Sequence, residues 1–186
     1  MLIAFTAFKG SGKDTCADYL VEKYGYTKVA FADPLKKILQ IMFMFTDEQL
    51  FGNEKELKDN RWFGCTPRTT MQYIGTELIR KQLDVIMPGL GEDYFVYYFK
   101  LWYDQQILKN PNIKIVISDL RSFDNEINIV KQLKGIIIKI DRPSLDQNDS
   151  HESEQPIDQY DYCIVNDDSK QFLYNQLEMI MLYHLW

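Results

Sequence analysis

The residues best equipped for chemistry are Ala7-Phe8-Lys9-Gly10-Ser11-Gly12-Lys13-Asp14-Thr15. They follow a short apolar run, Leu2–Phe5, and precede a stretch in which Ala17, Leu20 and Val21 fall at helical spacing. A glycine-rich turn between a strand and a helix can wrap successive backbone N–H groups around an anion, and the helix N-terminus adds its positive end. Gly10 and Gly12 permit the required backbone, and Lys13 supplies a cation for β- and γ-phosphates. Two positions depart from G-x-x-x-x-G-K-[ST]: Ala7 replaces the first glycine, and Asp14 occupies the Ser/Thr position with Thr15 after it. Thr15 is then the candidate hydroxyl for a magnesium shell, and Asp14 a carboxylate able to hold the ion through water. A plain turn with a surface lysine would not need all these residues in this order, so nucleotide binding is the reading adopted.

A second acid ends a second apolar run, Ile113–Ser118, as Asp119. In open α/β sheets ligands bind beyond the strand C-termini, so Asp119 is a candidate for positioning magnesium or a substrate group. Arg121 could present a bidentate fork to phosphate. Lys36, Arg68, Arg80 and Arg142 lie on separate predicted elements, as phosphoryl transfer requires of the cations that spread its charge. Taken singly, each reads first as a solvated surface charge.

The elements that must hold these residues alternate. Strands are predicted at Leu2–Phe5, Val29–Ala32, Ile113–Ser118, Gly135–Ile140 and Tyr162–Val165. Helices are predicted over 13–24, 33–45 (Asp33 as N-cap, Pro34 first in the helix), 66–86 (opened by Thr66-Pro67), 93–108, 124–133 and 170–184. The pattern predicts an α/β P-loop fold: an open parallel five-stranded sheet flanked by helices. A single domain over 1–186 is expected. Residues 46–66 form a charged, mobile excursion with one short helix, and the polar stretch 142–159 a closing lid or a plain solvated loop. Within that stretch, His151-Glu152-Ser153-Glu154 reads as solvated rather than as a metal site. Cys163 is expected in the core.

Composition narrows the partners. The chain has 186 residues, 46% hydrophobic and 14% aromatic, enough for a core. With 21 Lys+Arg against 27 Asp+Glu and a net charge of −6, it lacks the dense basic face of a nucleic-acid binder. There is no membrane-length apolar run and no leader pattern, and the 3 cysteines lack CxxC spacing, so a cytoplasmic protein is expected. The ring-rich helix 93–108 carries more aromatics than one core face needs, which favours a homodimer.

The motifs GSGKDT (10–15), FADPLK (31–36), PRTTMQYIGTELIR (67–80), ISDLR (117–121) and NDSHESE (148–154) together resemble the deoxynucleoside monophosphate (dNMP) kinases of tailed phages and large DNA viruses. G-K-x-T loops also occur in small nucleotide kinases of the adenylate kinase type. The resemblance runs through nearly the whole chain and implies transfer of the ATP γ-phosphate to a dNMP with magnesium, in a nucleoside monophosphate kinase-like fold with a lid, acting in the host cytoplasm if the chain is viral. It implies ATP binding by Lys9, Gly10, Ser11, Gly12, Lys13, Asp14, Thr15 and Asn166, with Asp14 and Thr15 at the metal. The dNMP would be held by Lys9, Leu35, Lys36, Arg68, Gln72, Gly75, Thr76, Arg80, Phe95, Asp119, Arg121, Glu126 and Ser153. Lys13, Asp119, Arg121 and Arg142 would serve the transfer itself. Phe95 stands where the family often has tryptophan, and Glu126 comes seven residues after Asp119 where the family often has an acid six after it. Two alternatives stay open: a P-loop kinase of another phosphorylated metabolite such as phosphomevalonate, and a nucleotide-binding switch, although the chain lacks the N-K-x-D of guanine-specific switches.

Overall fold

In a computed structural model of the chain, residues 1–121, 123–145 and 157–185 are described. They divide into two compact units, Met1–Ala30 with Tyr103–Trp186, and Phe31–Trp102.

The first unit is built on a parallel sheet of β1 (Leu2–Thr6), β2 (Thr27–Val29), β3 (Ile115–Ile117), β4 (Ile136–Asp141) and β5 (Tyr162–Val165), in the order β2-β3-β1-β4-β5. The first helix, α1 (Lys13–Tyr24), follows β1 directly. Strand β1 is central, pairing with β3 through Leu2 to Ala4 and with β4 through Ile3 to Thr6. It is buried along its whole length, which explains why it reads as an unbroken apolar run. Alternate residues Ile3, Phe5, Val116, Ile138, Ile140 and Ile164 join Cys16, Ala17 and Leu20 of α1 and Leu173 and Leu177 in one core.

Two expectations shift here. The edge strand β2 is Thr27–Val29, not Val29–Ala32, because its exposed residues Thr27 and Lys28 carry no apolar signal. Cys163 is exposed rather than core. It lies on the edge strand β5, where its neighbour Ile164 takes the buried side and the pleat turns Cys163 the opposite way.

The second unit opens with α2 (Asp33–Phe43), followed by α3 (Asp47–Leu50), α4 (Pro67–Gln72), a π-helical segment Tyr73–Arg80 and α5 (Tyr94–Lys109), within which the unit boundary falls. Asp33 is the first helical residue of α2 rather than its cap, which is Ala32. Thr66 caps α4 as the sequence suggests, its hydroxyl accepting the Thr69 N–H at 3.1 Å. The helix expected to reach residue 86 is instead α-helical over Pro67–Gln72, π-helical over Tyr73–Arg80 and 3₁₀ over Leu83–Val85.

Residues 46–66 carry three short helical turns rather than one. Polar contacts fasten them: Thr46 and Gln49 form a reciprocal capping box, and Trp62 donates Nε1–H to the Phe43 carbonyl at 2.7 Å. Nearly buried Asp59 accepts from Arg61 Nη2 at 2.6 Å and Gln49 Nε2 at 3.0 Å. No helix among the described residues is long and apolar enough to cross a membrane.

The last two helices, α6 (Asp124–Gln132) and α7 (Lys170–Leu185), return to the first unit and lie within a residue of their expected ends.

Candidate active site

At the C-terminal end of β1 the chain turns through residues 7–12 into α1. Gly10 (φ +80°) and Gly12 (φ +106°) adopt the left-handed backbone that glycine alone enters freely. Four loop carbonyls are held by side chains. Lys13 Nζ donates to Ala7 O at 2.5 Å and Phe8 O at 3.0 Å. Arg142, just after β4, donates Nη1–H to Gly10 O at 2.9 Å, and Asn166, just after β5, donates its amide to Ser11 O at 2.9 Å. Across a planar trans peptide the following N–H points away from its carbonyl, so each held carbonyl fixes the direction of the N–H that follows it. Such a row of N–H groups at a helix N-terminus is an anion-binding concavity. Lys9 belongs to the same loop.

The Thr15 hydroxyl has no hydrogen-bond partner among the described residues, whereas Asp14 is ion-paired with Lys28 on β2 at 2.8 Å. Lys28 also holds Asp18 at 2.9 Å. Burial alone would lower the Lys28 pKa, but the two carboxylates outweigh it and raise it. Nothing in the motif spacing pointed to Lys28, because it sits on an exposed edge strand.

Asp119 is placed by its neighbours: Ser118 N–H donates to Val29 O at 3.1 Å and Leu120 N–H to Phe5 O at 3.2 Å, stitching the turn after β3 to the ends of β2 and β1. Arg121 follows, its backbone N–H held by Glu126 Oε2 at 3.1 Å. Glu126 is only 1% exposed, so its carboxylate braces the Asp119–Arg121 turn from within the protein. Lys9, Lys13, Thr15, Asp119, Arg121, Arg142 and Asn166 thus all lie just beyond C-terminal strand ends of one sheet. Ser153 lies outside the described residues, as does 146–156 of the expected lid.

The remaining predicted residues sit on the second unit. Gly75 lies inside the π-helical segment, a form of helix frequent at functional sites. A Cβ there would come within 2.9 Å of Leu35 Cδ2, so glycine allows the two helices to touch. Lys36 Nζ lies 4.5 Å from the Phe51 ring, and Arg68 Nε is 3.6 Å from Glu56 Oε1. Arg80 places its guanidinium 4.9 Å from the Phe95 ring centre and donates to Glu92 O at 3.1 Å. Phe95 is 4% exposed and meets Tyr94 edge-on. Gln72 ends α4, and Thr76 follows Gly75.

The parallel order β2-β3-β1-β4-β5, a lysine-bearing phosphate loop after the central strand and an acid after its neighbour define a P-loop nucleotide-binding fold. The family model described as deoxynucleotide monophosphate kinase matches residues 1–67 and 48–177. A protein of Acanthamoeba polyphaga mimivirus, assigned as a deoxynucleotide monophosphate kinase, is 46% identical over 182 residues, covering 95% of this chain and 94% of its own length. The chain belongs to the deoxynucleotide monophosphate kinase family. The deoxynucleotide monophosphate kinase of Enterobacteria phage T4 is 24% identical over 242 residues, covering 95% of this chain and 97% of that protein. Among solved structures, dephospho-CoA kinase from Campylobacter jejuni aligns over 96% of each chain at 17% identity, with a TM-score of 0.49.

Proposed function

We propose that the chain transfers the γ-phosphoryl group of ATP to a deoxynucleoside monophosphate, releasing ADP and the deoxynucleoside diphosphate. The observation that carries this reading is the phosphate loop with its lysine and arginine, in a chain of this family. An acceptor-phosphate oxygen forms the new bond to the γ-phosphorus as the bond to the β,γ-bridging oxygen of ATP breaks, and that oxygen leaves with ADP. The acceptor is already anionic near neutral pH, so no strong base is required. The protein's task is to fix the two phosphates in line and neutralise the charge between them.

Lys13 and Arg142 suit the ATP phosphates, since both reach the loop that would cradle them. Asp119 and Arg121, braced by Glu126, suit the transferring group and the acceptor phosphate. Leu35, Lys36, Arg68, Gln72, Gly75, Thr76, Arg80 and Phe95 are the residues assigned to the acceptor nucleotide. Magnesium fits the donors present: the free Thr15 hydroxyl and the Asp14 and Asp119 carboxylates are hard oxygen ligands. Such an ion keeps waters and phosphate oxygens as most of its shell, so few protein ligands are needed. When bound, it would screen the β- and γ-phosphate charge. The viral relatives favour the host cytoplasm as the place of action.

The test is ADP release with ATP and magnesium against a panel of dTMP, dGMP, dCMP, dAMP, the ribonucleotides and phosphomevalonate. Turnover with one or more dNMPs is expected and names the accepted bases. Release confined to phosphomevalonate, or absent with every acceptor, overturns the reading.

A further inference from the structure

Asn166 stands outside the phosphate loop, just after β5, yet it is tied directly to the loop. Its amide donates to Ser11 O at 2.9 Å across 155 residues of sequence. A Cβ on Gly12 would lie 2.9 Å from the same nitrogen, so the amide rests directly against the Ser11–Gly12 peptide. Asn166 is itself pinned from two sides. Its backbone N–H donates to Asp141 O at 2.7 Å, extending the β4–β5 ladder by one bond. On the free edge of β5, Gln176 of α7 brackets the preceding residue, accepting the Val165 N–H at 3.0 Å and donating to the Val165 carbonyl at 2.7 Å. A side chain thereby replaces the missing neighbour strand and fixes the point from which Asn166 reaches out.

We propose that Asn166 is a positioning residue for ATP: by holding the Ser11 carbonyl it turns the Gly12 N–H toward the bound phosphates. The peptide bonds among the described residues are all trans, so the Gly12 N–H must point opposite to the Ser11 carbonyl. Asn166 can reach that carbonyl only as a donor, and an asparagine amide supplies both a donor and the right length. Gln176 acts one step further back, on the strand end that carries Asn166. The inference rests on the assignment of ATP to this loop, and its test separates the two.

The experiment is calorimetric titration of wild type, Asn166→Ala and Asn166→Leu with ATP, and separately with whichever dNMP the wild type binds, alongside a melting curve of each protein. Asn166→Leu keeps the branched shape and loses the donor without adding charge, so a packing role would survive in it. Losing one oriented N–H to a charged ligand should weaken ATP binding roughly ten- to a hundredfold in both variants. The affinity for dNMP should stay within about twofold of wild type. ATP affinity retained in Asn166→Leu would overturn the proposal, as would an equal loss for ATP and dNMP. If Asn166→Ala does not fold, Gln176→Ala carries the same test with a smaller loss for ATP alone, and no loss there overturns the proposal. A wild type that binds no ATP would instead refute the functional reading beneath it.

Discussion

Replacing Gly12 by alanine should disable the donor side while leaving the rest of the protein folded. Two costs are readable from the structure. The backbone at φ +106° lies well outside the region an L-residue enters easily, and such conformations cost about 1–3 kcal/mol. The new Cβ would also sit 2.9 Å from Asn166 Nδ2, below ordinary van der Waals contact, so the amide must back away from Ser11 O. Losing that hydrogen bond adds about 0.5–1.5 kcal/mol. The sum, roughly 1.5–4.5 kcal/mol, equals a fall of roughly 10- to 1,600-fold in the population of the binding-competent loop. The loop can relax locally, so the cost should appear as lost ATP affinity and not as global unfolding. Titration with ATP and a melting curve measure the two separately. In the double variant Gly12→Ala/Asn166→Ala the clash is gone but the φ strain remains, so the two losses should be less than additive by about 1 kcal/mol. Wild-type ATP affinity in Gly12→Ala, or fully additive losses, would refute the reasoning.

Other perturbations test other parts. Lys13→Ala removes the cation that reaches the Ala7 and Phe8 carbonyls, and turnover should fall by roughly two to three orders of magnitude with an unchanged far-UV spectrum; normal turnover would contradict its role. Arg121→Ala should raise the KM for the dNMP by roughly tenfold or more while the KM for ATP changes little, and steady-state kinetics in each substrate would expose the opposite split. Asp59 has its pKa held well below the ordinary carboxylate range by Arg61, with Gln49 assisting. The stabilisation from that pair is therefore complete above about pH 4 and is lost as pH falls further, through the folded-state pKa. Asp59→Asn should melt lower than wild type at neutral pH, with the gap narrowing in acid; a gap independent of pH would contradict this.

The fold was legible where burial leaves a pattern. Strands β1, β3 and β4 are interior and mostly apolar, and Asp119 stands two residues beyond β3, so their order along the chain and the loop between β1 and α1 could be read directly. Edge positions were less legible: Thr27 and Lys28 of β2 are exposed and carry no apolar run, and Cys163 looked buried because it stands in the apolar run of β5, whose edge position the run does not reveal. The proline signals located the starts of α2 and α4, but a π-helical stretch has no signature in apolar spacing, so the segment from Tyr73 to Arg80 read as ordinary helix. Residues 46–66 read as a mobile excursion with one short helix, and its three turns were missed because polar contacts such as Asp59 with Arg61 and Gln49 hold them, which hydropathy does not record.

At the site, the loop residues were visible from type and spacing, while their supports were not. Lys28 reaches Asp14, Glu126 reaches the Arg121 backbone, and Gln176 reaches Val165 across gaps in sequence that only the folded sheet closes. Asn166 was singled out by the family resemblance, but its contact with Ser11 belongs to the tertiary structure.

The central claim is the transfer of a phosphoryl group from ATP to a deoxynucleoside monophosphate. Incubating the protein with magnesium, ATP labelled at the γ-phosphorus and each dNMP, then separating the products, reads that transfer atom by atom. The label should move into a deoxynucleoside diphosphate, at its terminal phosphate, in step with ADP formation. Label recovered only in inorganic phosphate, or remaining in ATP with every dNMP, would contradict the account.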